Sequence, residues 1–395
     1  MSESATSALI VGTAPAALWS LDNHERLRRA LRRLRIAEVD RATAAEGPLL
    51  VLDGACLFEE RVLSALAEVP GCVLLDTDGE SIAGGCVDPA QADALAQGLG
   101  SAPGTLDGDL AALPCRRPVE VAGAYQERLR KRSEPFVARI TAGNARALEN
   151  RLYAIAYKGV TDLVTKWAWP LPARAVVRWC AARGIAPNTV TWLSVVLTVL
   201  AGLAFLEGHF WWGLLAGWGM TFLDTVDGKL ARVTLTSSRF GDVLDHGLDI
   251  LHPPFWYAAW GLGLAAWTQP FGLSVGAVIG WIVAGYIGGR LAEGAFQVWC
   301  APFSIFSWRP FDSWFRLVTA RRNPNMLMMT AALAAGRPDI GLLAVMLWHG
   351  ASTLLLWARV GQGLLARRGG ALSSWIARVG TEISPDSLSA RLFAR

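Results

Sequence analysis

The sequence predicts a membrane protein in two parts: an N-terminal soluble α/β domain, followed by an all-α polytopic membrane bundle of six transmembrane helices. Residues 1–118 alternate short apolar runs with helical stretches, whereas residues 189–362 contain one long apolar segment after another. The chain as a whole is 53% hydrophobic and only 18% charged, which is too apolar for an ordinary soluble protein. A net charge of only +4 gives no reason to expect nucleic-acid binding.

The predicted α/β domain covers residues 1–118 and is expected to face the cytoplasm. Apolar runs at 8–12, 48–53 and 72–76 are typical of buried strands. Helical stretches at 23–34 and 59–68 lie between them, and the arginines of the first indicate a solvated helix face. Six scattered cysteines without a CxxC pair favour reduced thiols in a cytoplasmic setting.

Residues 119–188 are predicted to form basic juxtamembrane and interfacial helices. Four cationic residues between 128 and 132, and four tryptophans between 167 and 192, are typical of the headgroup layer and of contact with anionic lipid. Pro170 and Pro172 interrupt the helical run, so an amphipathic interfacial helix is expected after them, around 173–183.

The membrane domain is predicted at residues 189–362, and residues 363–395 are predicted to form a cytoplasmic tail whose last 25 or so residues are loose. An even number of spans returns the chain to the cytoplasmic side, where Arg367 and Arg368 are expected. These features predict a multi-pass protein of the inner (cytoplasmic) membrane. The expected spans are 189–207, 209–231, 240–267, 273–299, 325–336 extended by its flanks, and 339–362.

Four aspartates lie inside or at the edge of these apolar segments: Asp224, Asp227, Asp245 and Asp249. Within each pair the spacing of three or four residues places the carboxylates on one helix face. The hydroxyl-rich residues 233–240 between the pairs are consistent with a turn, so the two helices can fold together around one cavity. Carboxylates in or near hydrocarbon need positive compensation. Oxygen-rich clusters suit divalent metals, and four carboxylates are enough for two metal ions bridging a phosphate.

The full pattern, D-x2-D-G-x2-A-R-x8-G-x3-D-x3-D over residues 224–249, resembles the signature of the CDP-alcohol phosphotransferases, also called CDP-alcohol phosphatidyltransferases. The resemblance implies a membrane enzyme that moves a substituted phosphate from a CDP-alcohol donor to an acceptor alcohol and releases CMP. It also implies a homodimer and two divalent ions, Mg²⁺ or Mn²⁺.

Carried over by position, the resemblance implies a role for each motif residue. Asp224, Asp227, Asp245 and Asp249 would hold the metal ions, and Asp249 would also act as the base on the acceptor hydroxyl. The predicted nucleotide-binding residues are Asn188, Asp224, Gly228, Ala231, Arg232 and Gly241.

The N-terminal domain resembles the nucleotidyltransferase-like domain fused to some members of this family. However, residues 11–18 lack the expected basic residue after the first strand, and residues 1–118 contain no lysine. We therefore expect a degenerate, catalytically inactive relative that serves regulation or architecture.

Two arginines in predicted spans, Arg290 and Arg359, are candidates for binding an acceptor phosphate, because intramembrane arginines usually face polar cavities. Alternatively, the long side chain of Arg359 could extend to the membrane interface and place its charge in water. Glu293 could contact the substrate, but it is at least as well explained as a buried partner of Arg290. Arg321 and Arg322 precede the fifth expected span, and the default interpretation is that they are positive residues flanking it on the cytoplasmic side. They could also line the mouth of the site.

The sequence does not decide the identity of the acceptor alcohol. It could be a polyol phosphate, such as inositol phosphate, or it could be glycerol phosphate or another phospholipid head group. The donor stays open between CDP-diacylglycerol and a water-soluble CDP-alcohol. The alternative from another class is an intramembrane divalent-cation transporter, which explains the carboxylates but not the Gly, Ala and Arg positions spaced with them. A scaffold that only binds ligand is a third possibility.

Overall fold

The computed structural model describes residues 4–236, 239–267 and 269–394, except for the side chains of 239, 240 and 242–246. The chain divides into two compact units. The first unit comprises residues up to 126 together with 132–157 and 232–236, and the second comprises the rest.

The first unit is built on β-strands. They are β1 (Ser7–Val11), β2 (Ala37–Glu38), β3 (Leu49–Asp53), β4 (Cys56–Phe58), β5 (Cys72–Leu75), β6 (Ile82–Val87) and β7 (Cys115–Arg116). Six of them form a mixed sheet with the order β2-β1-β3-β6-β5-β7. β1 is parallel to β2 and β3, whereas β6 is antiparallel to both β3 and β5. The three predicted strands are confirmed as β1, β3 and β5.

Helices cover this sheet on both sides. The two predicted helices are confirmed as α1 (Asn23–Leu34) and α2 (Glu60–Ala67), and α3 (Pro89–Gly98) adds a third. The Asp22 side chain accepts hydrogen bonds from the first backbone N–H groups of α1, which explains why the helix begins there. Leu27 and Leu31 on α1 pack into the core with β3 residues Leu50 and Leu52.

The α/β unit continues beyond residue 118, where a juxtamembrane region was predicted. The additional elements are α4 (Pro118–Val121), β8 (Tyr125–Gln126), β9 (Lys131–Arg132), β10 (Val137–Arg139) and α5 (Ala145–Ile155). β10 pairs antiparallel with β4, and α5 packs Leu148 against Phe136. Residues 132–157 therefore belong to the first compact unit.

The second unit is helical. Its helices are α6 (Pro170–Ala182), α7 (Pro187–Leu206), α8 (Phe210–Thr234), α9 (Arg239–Leu262), α10 (Val275–Trp299), α11 (Pro310–Val318), α12 (Arg322–Ala334) and α13 (Pro338–Arg367). Each of the six expected spans falls on one of them: α7, α8, α9, α10, α12 or α13.

Three of these helices, α7, α10 and α13, are long and apolar enough to cross a membrane, within the residues that the structure describes. The six-span architecture therefore stays a prediction. α12 has only 13 residues and measures about 20 Å at 1.5 Å per residue, which is shorter than the roughly 30 Å hydrocarbon core. α8 and α9 have sufficient length but carry the aspartates.

Two predictions outside the spans are corrected. The helix expected at 173–183 begins instead at Pro170, because proline is tolerated in a first helical turn, where its missing N–H has no partner to lose.

The prediction of a loose C-terminal tail is wrong for much of residues 371–394. Trp375 is fully buried and donates from Nε1 to Ser313 Oγ at 2.9 Å, and Phe393 is buried against Trp314.

The bundle packs through close helix contacts and tryptophan hydrogen bonds. α10 meets α13 where Thr353 Oγ1 donates to the Gly285 carbonyl at 2.6 Å, a close approach that small residues allow. α9 meets α7 where Trp256 Nε1 donates to the Thr198 carbonyl at 2.9 Å. These contacts hold α10 against α13 and α9 against α7.

The C-terminal turn of α8 belongs to the first unit and is capped there by arginines of α1. The Arg26 side chain, only 4% exposed, donates to the carbonyls of Val233 and Leu18, both at 2.8 Å. Arg29 donates to the Thr234 carbonyl at 2.9 Å. Cations that hydrogen-bond the last carbonyls of a helix satisfy groups that lack an intrahelical partner.

We predict that Arg26→Met lowers the stability of the protein by about 1–3 kcal/mol, because it removes a buried donor from the Val233 carbonyl and leaves the Leu18 carbonyl to its backbone donor, the N–H of Leu21. Arg32→Met on the same helix replaces an exposed arginine and is the matched control. Thermal unfolding of the purified full-length variants measures the difference. Equal melting temperatures for the two variants would contradict the capping role of Arg26.

Candidate active site

A single arginine joins two of the motif aspartates. Arg322, the first residue of α12, donates from Nη2 to Asp224 Oδ2 on α8 and from Nη1 to Asp249 Oδ1 on α9, both at 2.6 Å. Because both nitrogens belong to one planar guanidinium, the two carboxylates face each other across its width. The acidic faces of α8 and α9 therefore share one site.

Asp227 lies one turn after Asp224 and is the most deeply buried of the motif aspartates whose side chains are described, with 3% exposure. Its Oδ2 accepts a hydrogen bond of 2.7 Å from Thr191 Oγ1 on α7. Asn188, in the first turn of the same helix, is half-buried. The entry of α7 thus contributes polar groups to the site, next to the position predicted for nucleotide binding.

Asp245 lies on α9, four residues before Asp249, but its side chain is outside the described residues. Among the side chains that are described, no three from His, Cys, Asp and Glu gather closely enough to hold a metal ion. The metal site of four carboxylates therefore stays a prediction. The structure describes the side chains of three of the four aspartates.

The small and basic motif positions lie on the same two helices. Gly228 and Ala231 are half-buried on α8, and Gly241 is half-buried on α9. Arg232 donates from Nη1 to the Ala156 carbonyl at 3.0 Å, within the first unit. Its predicted contact with the nucleotide stays a prediction.

The first turn of α12 is held by two asparagines on either side of Pro324. Asn323 Nδ2 donates to Asp162 Oδ1 at 2.9 Å, and Asn325 Nδ2 donates to Tyr257 OH at 2.7 Å. Both asparagines are buried. Because a buried amide nitrogen has few alternative acceptors, these two hydrogen bonds fix the backbone from which Arg322 projects.

The sequence alone gave Arg322 two interpretations, as a charged flank or as part of the site mouth, and the structure places it in the site. The run Arg-Asn-Pro-Asn at 322–325 contains the available signal. Amide side chains are costly in lipid, so two of them at the start of an apolar helix indicate that this turn faces a polar interior.

The predicted acceptor residue Arg290 lines a cleft between α10 and α13 that also includes Tyr286, Glu293, Arg321 and Ser352. Tyr286 OH donates to the Ile250 carbonyl at 2.9 Å, directly after Asp249, and lies 3.3 Å from Arg290 Nη2. Arg290 is thus close to the motif helix α9. Glu293 pairs with Arg321 rather than with Arg290, the partner expected from sequence.

Arg359, the other predicted acceptor residue, is held in a buried ion pair. Its Nε and Nη2 donate to the two carboxylate oxygens of Asp312 at 2.7 and 2.8 Å, and its guanidinium lies 4.3 Å from the Trp308 ring centroid. It is 7% exposed, so it does not snorkel to the interface. This geometry favours a structural role. The sequence could not show it because Asp312 lies 47 residues away.

Comparison with known proteins places these residues in a family context. Residues 184–359 match the CDP-alcohol phosphatidyltransferase family. Over 147 residues the chain is 31% identical to cholinephosphotransferase 1 of Homo sapiens, covering 34% of each protein.

Two microbial relatives give similar matches. The identity is 37% over 87 residues to the phosphatidylinositol phosphate synthase of Mycobacteroides abscessus, covering 20% of this chain and 40% of the relative. It is 31% over 113 residues to the archaetidylinositol phosphate synthase of Pyrococcus horikoshii, covering 28% and 53%. The chain thus spans about a third to a half of the length of these relatives.

We predict that Arg359→Gln and Asp312→Asn each destabilise the protein by roughly 3–5 kcal/mol, because each leaves one buried charge without its partner. The double variant Asp312→Leu/Arg359→Met should recover much of this loss. Thermal unfolding of the three variants checks the pair. A normal melting temperature for Arg359→Gln together with a raised KM for the acceptor would instead support the acceptor contact.

Proposed function

Residues 184–359 belong to the CDP-alcohol phosphatidyltransferase family, and from this premise we propose that the chain transfers a substituted phosphate from a CDP-alcohol to an acceptor alcohol and releases CMP. The observation that carries the proposal is the convergence of Asp224 and Asp249, from two helices, on one guanidinium. A cationic group between these carboxylates is what a site for the donor pyrophosphate requires.

We further propose that the aspartates hold two divalent ions, Mg²⁺ or Mn²⁺, with Asp245 as the fourth ligand. The donor set fits, because carboxylate oxygens suit these ions and the position between Asp224 and Asp249 already accommodates a positive group. Bound ions would neutralise the negative charge of the pyrophosphate.

Asp249 is the proposed base. Its side chain is 42% exposed, compared with 17% for Asp224, so it is the more accessible of the two carboxylates to an incoming alcohol. It would accept the proton of the acceptor hydroxyl. The hydroxyl oxygen forms a bond to the β-phosphorus while the bond from that phosphorus to the oxygen of CMP breaks, giving a phosphodiester and CMP.

Arg290 is the proposed contact for an anionic acceptor. It lines the cleft next to Tyr286, whose hydroxyl is bonded to the residue after Asp249. A guanidinium there favours a phosphorylated polyol, of which inositol phosphate and glycerol phosphate are the two candidates. For the donor, CDP-diacylglycerol and a water-soluble CDP-alcohol remain the two candidates.

We also propose that six helices cross the inner membrane, with α8, α9 and α12 completing the three that are apolar enough by themselves. The N-terminal α/β unit would then be cytoplasmic, and the protein would form a homodimer. This unit would be a degenerate nucleotidyltransferase-like domain. Full-length Asp249→Asn protein supplied with CTP and polyol phosphates should form no CDP-polyol, and its formation would contradict this assignment.

We predict that Asp249→Asn reduces transfer to background while CDP still binds, because the amide cannot accept the proton. Asp339→Asn, at the start of α13, is the matched control because its carboxylate pairs with the exposed Arg337. Transfer of labelled CDP-diacylglycerol to a panel of alcohols and phosphorylated polyols measures activity. Full activity in Asp249→Asn would rule out its role as base.

We predict that Arg290→Gln raises the KM for a phosphorylated acceptor at least about tenfold, since a hydrogen bond to a charged group contributes about 1.5–3 kcal/mol. The KM for the CDP-alcohol donor should stay near its wild-type value. Steady-state kinetics with each substrate varied in turn separates the two. An unchanged acceptor KM would place the acceptor phosphate elsewhere.

The alternative, a divalent-cation transporter, predicts a different response to ligands. The transferase should gain thermal stability from CDP or CMP together with Mg²⁺ or Mn²⁺, because a ligand stabilises the state that binds it. A transporter should respond to the metal alone. Stabilisation that is the same with and without nucleotide would favour transport.

A further inference from the structure

We propose that Arg322 is an internal counter-ion that competes with divalent cations for Asp224 and Asp249, and that it turns to the pyrophosphate of the nucleotide when those cations bind. Arg322 is not part of the aspartate motif. This inference rests on the proposed function and adds a residue that couples cation binding to nucleotide binding.

The first step of the argument is geometric. Each of the two terminal nitrogens of Arg322 covers a carboxylate oxygen at 2.6 Å, one on Asp224 and one on Asp249. Cation ligation would use the same oxygens, at about 2.0–2.2 Å for Mg²⁺. An oxygen engaged in so short a charged hydrogen bond is a poorer ligand, so guanidinium and cation compete for both carboxylates.

The second step concerns charge. The Arg322 side chain is 15% exposed, so its charge is largely removed from water. Once cations hold Asp224 and Asp249, the guanidinium loses both of its carboxylate partners in a region that has just gained positive charge. It then requires an anion, and the pyrophosphate of a CDP-alcohol is the anion that the proposed reaction brings to this place. The planar fork of arginine suits phosphate oxygens.

The third step concerns movement. Asn323 and Asn325 hold the backbone next to Arg322 through buried hydrogen bonds to Asp162 and Tyr257. The exchange of partners therefore requires rotation of the arginine side chain only. Nη1 also lies 3.5 Å from the Met220 sulfur, a weak acceptor that adds little to what holds the guanidinium in place.

This arrangement makes cation and nucleotide binding mutually supportive. Without nucleotide, a cation has to displace Arg322 and leaves it without a partner, so cation binding is weakened. With nucleotide present, the released guanidinium gains a partner. By thermodynamic linkage, the cation must strengthen nucleotide binding by the same factor.

The test compares Arg322→Gln with Arg321→Gln, which removes the neighbouring arginine and its pair with Glu293. Mn²⁺ binding to the purified full-length protein is measured by electron paramagnetic resonance without nucleotide, and CDP binding is measured at saturating Mn²⁺. Arg322→Gln should bind Mn²⁺ about 5- to 150-fold more tightly than wild type, the usual range of such coupling, and should bind CDP more weakly. Arg321→Gln should bind Mn²⁺ as wild type does.

Arg322→Lys provides a second variant, which keeps the charge but can no longer bridge two carboxylates as a fork. It should bind Mn²⁺ with intermediate affinity. Mn²⁺ affinity that is unchanged or weaker in both Arg322 variants, but lost in Asp224→Asn, would overturn the counter-ion role while leaving the proposed function intact. Absence of Mn²⁺ binding by the wild-type protein and by both Arg322 variants, with and without CDP, would overturn both.

Discussion

The bundle depends on one electrostatic constraint: carboxylates within an apolar helical unit need a positive partner. Asp224 and Asp249 obtain theirs from Arg322 at 2.6 Å each. Since an unpaired buried charge costs several kcal/mol, this triad ties α8, α9 and α12 together at one point. Asp227 is stabilised differently, by the hydroxyl of Thr191 from α7. The site is therefore also the place where four helices are joined.

Hydrogen bonds from neighbouring residues fix the backbone that carries these charged groups. Asn323 and Asn325 fix the start of α12, and Tyr286 on α10 binds the backbone of α9 directly after Asp249. Separately, within the first unit, Arg26 and Arg29 cap the last carbonyls of α8, the helix that carries Asp224. Such supporting contacts restrict the motion of these charged side chains, which is what positioning for the proposed transfer requires.

The sequence predicts the local features well and the long-range partners poorly. Apolar length locates α7–α10, α12 and α13, and the three- and four-residue spacing of Asp224 and its neighbours identifies the acidic site. β6 was missed because its two central glycines hide the strand pattern. The pairs Arg322–Asp224 and Arg359–Asp312 join residues 98 and 47 positions apart, and periodicity holds no information about such pairs. The tail was misjudged because Trp375 is buried by tertiary contacts alone.

The central claim is that α8 and α9 present their carboxylates to shared cations. The most direct measurement is anomalous X-ray scattering from crystals of the full-length protein loaded with Mn²⁺ and CDP. The account predicts anomalous peaks within about 2.0–2.4 Å of carboxylate oxygens from both helices, with Asp224 and Asp249 among the ligands. Peaks that contact only one of the two helices, or that lie away from both, would contradict it.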